Sequence, residues 1–347
     1  MSLVLITGGL GFIGSHICLE ILENGFDVLV IDSLINSSLS VIDKIKLTLV
    51  KTKPIKRGQF FFRKGDIRDF QFLNNVFNEF QKSNKQIESV IHLAGLKSIS
   101  DSFDFPIKYW DFNVNGSINL FKTMKKYNCR NIVFSSSASI YKSKHEGKIK
   151  EDYELMPIHP YGKTKLTIEK ILSDLFNSEK NLWRIINLRY FNPAGAHPHG
   201  LLGENSLVSN NLFPKIFESL ENKMEYFYIF GNNWPTRDGT CIRDFIHVMD
   251  LAEAHFLALK FLISNKSQII NLNIGSGNGS TVLEIVNIFK NEMKLNIKYK
   301  FVDRRKGDNP YLVADNSLAK KILNWSPKKN LIDISKDAWN FNKKIKL

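Results

Sequence analysis

The sequence predicts an α/β protein, a doubly wound parallel sheet followed by a smaller α/β lobe. Three observations predict it. Short apolar runs alternate with helical patterns through the first half of the chain, and parallel strands need such crossover helices. The first apolar run leads through a glycine-rich turn directly into a helix. A length of 347 residues exceeds what one ordinary core organises and suits a large domain with a second lobe.

Taken in order, Leu3–Thr7, Val28–Asp32, Gln59–Lys64, Ser89–Leu93, Asn131–Ser135 and Trp183–Arg189 read as strands. Helices are expected near 13–24, 37–50, 69–82, 107–127 and 161–178, with Ser37 or Ser38 as a cap for the second. Beyond residue 189 the pattern is less regular. Segments 190–210 and 231–243 are rich in Gly, Asn and Pro and read as loops. Helices are expected at 211–223, 250–264, 281–293 and 331–344, and short strands at 226–230, 269–274 and 297–302. The expected division puts 1–189, with a return segment near 245–272, in a dinucleotide-binding domain. It puts 190–244 and 273–347 in the second lobe.

Composition narrows the partners. The net charge is +14, but the lysines are spread along the chain, so neither a nucleic-acid nor a membrane partner is expected. Cys18, Cys129 and Cys241 are far apart and form no CxxC pair, which argues against a disulfide framework or a metal site and for a reducing, cytoplasmic setting. The opening run Met1–Ile6 has no basic lead or cleavage site and is not expected to be a signal peptide. No apolar stretch reaches the ~20 residues that span a bilayer.

The glycine turn carries the first chemical signal. Gly8, Gly11 and Gly14 follow the strand Leu3–Thr7, and Phe12 and Ile13 open the helix. Such a turn lets backbone approach a pyrophosphate, and the helix N-terminus offers it N–H groups and a positive dipole. This is the Rossmann-type arrangement. The second strand ends at Asp32, 18 residues past Gly14, placed to accept from ribose hydroxyls and to repel a 2′-phosphate. NAD is therefore the expected cofactor. Asp66 and Ile67 at the third strand end, and Leu93, Ala94, Gly95 and Lys97 after the fourth, lie where open α/β sheets bind ligands.

Tyr161 and Lys165, four apart on one helix face, carry the second. A cation about 4 Å from a phenol, at an effective dielectric of ~20, is worth roughly 4 kcal/mol. That would lower the phenol by up to ~3 units from its usual value near ~10 and make it a usable base. Ser137, at the end of a strand, could steer the reacting hydroxyl and pass its proton to Tyr161.

With these residues in place, the chain resembles the extended short-chain dehydrogenases/reductases and, among them, the UDP-glucose (UDP-galactose) 4-epimerases. The resemblance runs from residue 2 to about 342. Its segments are Thr7–Gly14, Gly65–Arg68, His92–Lys97, Asn113–Gly116, Ser135–Ala138, Tyr161–Lys165, Leu188–Pro193, Gly195–His197, Phe230–Gly231, Asp238–Thr240, Arg243–Asp250 and Arg304–Asp308. It implies that Ser137, Tyr161 and Lys165 are the catalytic set. Lys97 and Asn113 would help hold NAD beside Asn36 and Ser37, with Phe191 near the nicotinamide. Asn192, Asn211, Tyr228, Phe230, Arg243, Arg305 and Asp308 would hold the UDP and sugar, with Lys97 reaching the substrate as well. The arginines suit phosphate because a guanidinium matches its oxygens in pairs.

The implied activity interconverts UDP-galactose and UDP-glucose through a 4-keto sugar, in a homodimer. Three departures stand out. Lys142 replaces a usual Gly, Leu93 replaces a frequent Phe, and Leu312 occupies the position that gates sugar size, so UDP-N-acetylhexosamines stay open as substrates. A 4,6-dehydratase would need an Asp-Glu pair where Ala138 and Ser139 stand. A non-catalytic NAD-binding regulator is the reading from another class, and the intact Ser137, Tyr161 and Lys165 argue against it.

Overall fold

The computed structural model describes residues 2–143, 146–205, 211–305 and 307–345. Two compact units account for the chain: 1–140, 157–189 and 252–272 form the first, and 141–156, 190–251 and 273–347 the second.

In the first unit, β1 (Leu3–Thr7), α1 (Phe12–Glu23), β2 (Asp27–Asp32), α2 (Ser40–Thr52), β3 (Phe60–Lys64), α3 (Phe70–Lys82) and β4 (Ile87–His92) alternate as the sequence pattern requires. Then come α4 (Ile99–Asp104), α5 (Pro106–Tyr109), a π-helical turn (Trp110–Asn115), α6 (Gly116–Lys126), β5 (Asn131–Ser137), α7 (Pro160–Ser178) and β6 (Arg184–Tyr190). In the second unit lie β7 (Asn192–Ala194), α8 (Leu212–Leu220), β8 (Phe227–Phe230) and β9 (Ile242–His247). The chain returns to the first with α9 (Val248–Ser264) and β10 (Gln268–Ile274). It ends through β11 (Gly279–Thr281), α10 (Val282–Asn287), β12 (Tyr299–Val302), β13 (Tyr311–Leu312), α11 (Ser317–Leu323) and α12 (Leu331–Lys344).

The main sheet has seven strands in the order β10-β6-β5-β4-β1-β2-β3. Pairing is parallel from β5 through β4, β1 and β2 to β3. The order reverses beside β1, and that switch point lies at the end of the strand feeding the glycine turn. Strands buried on both faces read as near-continuous apolar runs, and every residue of β1 and β2 is buried. Leu5, Leu29 and Val90 are fully enclosed, each burial worth about 1.5–3 kcal/mol.

Several boundaries differ from the sequence reading. The single helix expected over 107–127 is present as one helical run from Pro106 to Lys126, with a π-turn inside it between α5 and α6. A π-turn inserts one residue into the helical ladder, and this one carries Asn113, whose amide is fully engaged. Ser37 does not cap α2, since its hydroxyl bonds Asp32; the helix starts at Ser40, whose N–H donates to the Ser38 Oγ at 3.3 Å. Segments 190–210 and 231–243 are not wholly loops, since β7 and the start of β9 lie within them. Helix 281–293 ends at Asn287 and continues as a π-turn. Residues 141–156 join the second unit rather than the first, because Tyr141 donates to Asn273 Oδ1 (2.7 Å) and Ile149 pairs with Ala314.

Buried histidines give the first unit a pH dependence. Burial, then Lys165, presses His92 down to about 3; burial, then Lys163, presses His159 to about 4. Both stay neutral when folded and titrate near 6.5 when unfolded. Between about pH 4 and 6.5 the unfolded chain therefore binds more protons, and stability rises with pH. Stability present above pH 6.5 is lost on acidification, at up to about 2.7 kcal/mol per unit for the pair. Denaturant midpoints should fall from pH 7 to pH 5, and an equal or higher midpoint at pH 5 would refute the assignment.

Candidate active site

The glycine turn follows from backbone geometry. Gly8 has φ +72°, and a methyl there would meet the Ala94 nitrogen at 2.9 Å. At Gly14 it would meet the Gly8 carbonyl oxygen at 2.3 Å. Gly11 is different: its nearest neighbour would be at 3.4 Å, which is ordinary contact. No side chain caps α1, so Phe12 and Ile13 open a helix whose first N–H groups are not taken by a cap. A close-packed turn beneath an uncapped helix start fits a dinucleotide pyrophosphate.

Asp32 closes this turn from the side. Its carboxylate accepts from Leu10 N (3.0 Å), Leu34 N (2.9 Å) and Ser37 Oγ (2.8 Å). That leaves one of about four lone-pair sites for a ribose hydroxyl. Leu34 sits at φ 63°, a strained conformation for a side-chain-bearing residue, held by its N–H bond to Asp32. Asn36 follows on the exposed part of the same loop.

The third and fourth strand ends bring the rest of this set together. Burial pushes the Asp66 carboxyl up, but hydrogen bonds from Arg68 outweigh it and hold the group below its usual value. Arg68 also stacks on Phe112 at 3.6 Å and pairs with Asp111 at 2.6 Å. Ile67 is buried, and a methyl on Gly116 would strike it at 2.8 Å. Leu93 N and Ala94 N bond Thr7, and Gly95 packs on the Asn113 side chain. Asn113 Oδ1 accepts from Leu96 N (2.7 Å), while its Nδ2 donates to Leu96 O (3.1 Å) and Thr164 Oγ1 (3.0 Å). Lys97 is exposed.

α7 lays the face that carries Tyr161 and Lys165 on β5. Pro160 starts the helix and His159 caps it, its Nδ1 accepting from Gly162 N at 3.0 Å. The His159 ring stacks on Tyr161 at 5.9 Å. Ser137, at the end of β5, is the polar neighbour of the Tyr161 phenol. Lys165, 5% exposed, donates to the Ser135 carbonyl at 2.7 Å. The expectation that Lys165 makes Tyr161 acidic is corrected here. Burial holds the phenol above its usual value, and the bond to Ser137 is what pulls it down. The ammonium lies 5.9 Å from the Tyr161 ring centroid with a carbonyl partner of its own, and burial presses it to about 8.

In the second unit β9 is the organiser. It pairs with β7, β11 and β13, placing Asn192 opposite Phe245 and Leu312 opposite Arg243. Arg243 donates to the Asn309 carbonyl (2.6 Å) and lies 3.4 Å from Asp308. β8 pairs with β12 and carries Tyr228 and Phe230, with the Arg305 guanidinium 4.1 Å over the Phe230 ring. The buried Asn192 Oδ1 has no hydrogen-bond partner among the described residues, an acceptor ready for a polar ligand. Phe191 is buried, its N–H bonded to Ile274 O. Asn211 starts α8, its Nδ2 donating to Glu204 at 2.7 Å.

Sequence reading missed two groups. Asp244, beside Arg243, is fully buried and accepts from Ser276 N, Ser276 Oγ, Gly277 N and Ala314 N, so it ties two loops to β9. Glu169, four residues past Lys165, is also buried. Its place at the next turn of the Tyr161 and Lys165 face is the signal that could have found it.

Comparison with known proteins agrees in extent as well as in motif. The profile of the family described as GDP-mannose 4,6 dehydratase matches residues 5–338. A UDP-glucose 4-epimerase of Bacillus subtilis (strain 168) is 40% identical over 97% of this chain and 96% of its own. One from Dictyostelium discoideum is 41% identical over 97% and 95%. Among solved structures, the UDP-glucose 4-epimerase of Stenotrophomonas maltophila, with bound NAD and formylated UDP-arabinopyranose, superposes with a TM-score of 0.91 at 36% identity, covering 100% of this chain and 99% of that one. The UDP-glucose 4-epimerase of Bifidobacterium longum, in complex with NAD+ and UDP, gives 0.89 at 35% identity, covering 99% and 98%.

Proposed function

Because this chain belongs to the UDP-glucose 4-epimerases, within the broader family matched by the dehydratase profile, we propose that it interconverts UDP-galactose and UDP-glucose with NAD. Tyr161 takes the proton of the sugar O4 and later returns it, with Ser137 as its hydrogen-bonded relay. Lys165 holds its positive charge beneath the pair. When bound, NAD would supply the two-electron acceptor for the C4 hydride and the donor for its return, and its positive charge would favour the phenolate. Gly8, Gly11, Gly14 and Asp32 hold the dinucleotide; Asp66, Asn113 and Lys97 complete its cleft. Arg243 and Arg305 grip the diphosphate and Asn192 the sugar, so that the UDP half stays clamped while the sugar turns over. Return of hydrogen to the opposite face inverts C4.

The observation that carries this reading is the α7 face that places Tyr161 one turn from buried Lys165, whose ammonium donates to the Ser135 carbonyl two residues before Ser137. Ala138 and Ser139 offer no carboxyl for elimination of water, which favours epimerisation over the dehydration for which the matching profile is named. A homodimer is supported by apolar side chains exposed on α4 and α5 and the residue between them, Phe105 at 59% and Ile107 at 78%. Cytoplasmic residence is supported by three free, buried cysteines. No helix among the described residues is long and apolar enough to cross a membrane.

The test is to incubate purified protein with UDP-galactose and no added cofactor. UDP-glucose should accumulate to equilibrium without net formation of NADH. No conversion with NAD supplied, or stoichiometric NADH, would overturn the reading. A parallel arm with UDP-N-acetylgalactosamine reads how far Leu312 opens the sugar pocket.

A further inference from the structure

The first unit buries an ion pair that the proposed reaction does not use. Glu169 on α7 and Arg189 on β6 are 5% and 2% exposed. Arg189 Nε donates to Glu169 Oε1 (3.0 Å) and a terminal guanidinium nitrogen to Oε2 (2.6 Å). Buried pairs of this kind seldom add stability over apolar residues of similar volume. Stability alone is therefore a poor account of this one.

Its neighbours suggest a better account. Tyr161, Lys165 and Glu169 follow at intervals of four on one face of α7. Two of them bond successive residues of β5: Lys165 bonds the Ser135 carbonyl and Glu169 accepts from the Ser136 hydroxyl at 2.5 Å, while the next residue, Ser137, is the neighbour that pulls the Tyr161 phenol down. Glu169 thus holds the strand residue lying between those that the other two engage. Resting on the roles read above for Tyr161 and Lys165, we propose that Glu169, fastened by Arg189, is a positioning residue: it sets the Ser135–Ser137 strand end against Tyr161 and keeps Lys165 an ammonium.

The surrounding charges leave this task to Glu169. Burial lowers Lys165 and the Glu169 carboxylate opposes that. His92 on β4 is neutral, and Tyr109 on α5, raised by burial to about 12, is a neutral phenol, as is Tyr161. Asp101 on α4 is exposed, Asp111 on the π-turn is paired with Arg68, and Arg189 has the same sign as Lys165.

The experiment uses the NAD-loaded protein and follows kcat on UDP-galactose against pH. An ammonium at Lys165 is lost as pH rises through its pKa, so activity falls on the alkaline side. Removing the neighbouring negative charge lowers that pKa. In Glu169→Gln the alkaline fall should move to lower pH by about one unit or more. Because this variant strands a buried guanidinium, Glu169→Gln/Arg189→Gln is made beside it; it should recover thermal stability and retain part of the acid displacement. A wild-type alkaline limb in whichever variant folds would overturn the proposal, and so would failure of both to fold, which would mark the pair as structural. Lys165→Met separates the levels. If it keeps wild-type kcat, the underlying reading fails and takes this proposal with it. If it is inactive while Glu169→Gln shows no shift, only the role of Glu169 falls.

Discussion

Tyr161→Phe is expected to lower kcat on UDP-galactose by about 10²–10⁴-fold while leaving thermal stability and bound NAD near wild-type levels. The substitution removes one oxygen and no ring, so the stack on His159 and the helix start at Pro160 are kept. What is lost is the hydroxyl whose pKa Ser137 pulls down and which, in the proposed reaction, receives the O4 proton. The raised pKa of the phenol makes this prediction sharper. A group held above its usual value rests protonated, so the proposed proton transfer requires bound substrate and cofactor. The loss should therefore appear in kcat rather than in KM. Full activity in Tyr161→Phe would transfer proton exchange to another group and end the mechanism as stated.

The second large effect is at Gly14. Gly14→Ala would set a methyl 2.3 Å from the Gly8 carbonyl oxygen and 2.7 Å from Gly9 Cα. Both neighbours are backbone, and Gly8 is itself pinned to β2 through Ile31 O at 2.8 Å. Neither can swing aside as a side-chain tip would. The turn must open or the helix must retreat, at a cost of about 1–3 kcal/mol, and the N–H groups leave the position required for the pyrophosphate. Protein purified from this variant should carry little or no NAD, read by chromatography of the acid-released nucleotide, and should unfold earlier. Gly11→Ala is the paired control. Its methyl meets nothing closer than 3.4 Å, so the fold should tolerate it, and any loss of NAD would then reflect the ligand's side of the turn. Retention of stoichiometric NAD by Gly14→Ala would refute this account of the turn.

The first unit was legible because its signals are local. Glycines at 8, 11 and 14, an acid at 32 and a Tyr-x-x-x-Lys pair each state their purpose within one turn or one strand end. α7 was readable in the same way, since spacing of four puts Tyr161 and Lys165 on one face whatever surrounds them. β9 was not. Ile242–His247 carries Arg243 and Asp244 in its interior, which breaks the apolar run that marks a strand. Its charges are tolerable because Asp244 finds amide donors at 276, 277 and 314, distant residues that no local window contains. The π-turn before α6 was hidden likewise, because it carries Asn113, whose partners Leu96 and Thr164 are distant in sequence.

Residue order alone settled the alternation of strand and helix and the close-packed glycine turn, and it supplied the groups proposed to do the chemistry, because each depends on neighbours within about four positions. Packing decided the rest. It set the Tyr161 phenol above its free value and drew Lys165 to a carbonyl rather than to the phenol. It also buried a carboxylate–guanidinium pair beneath them. Desolvation and long-range partners fix those properties, and both come into being only when the chain is folded.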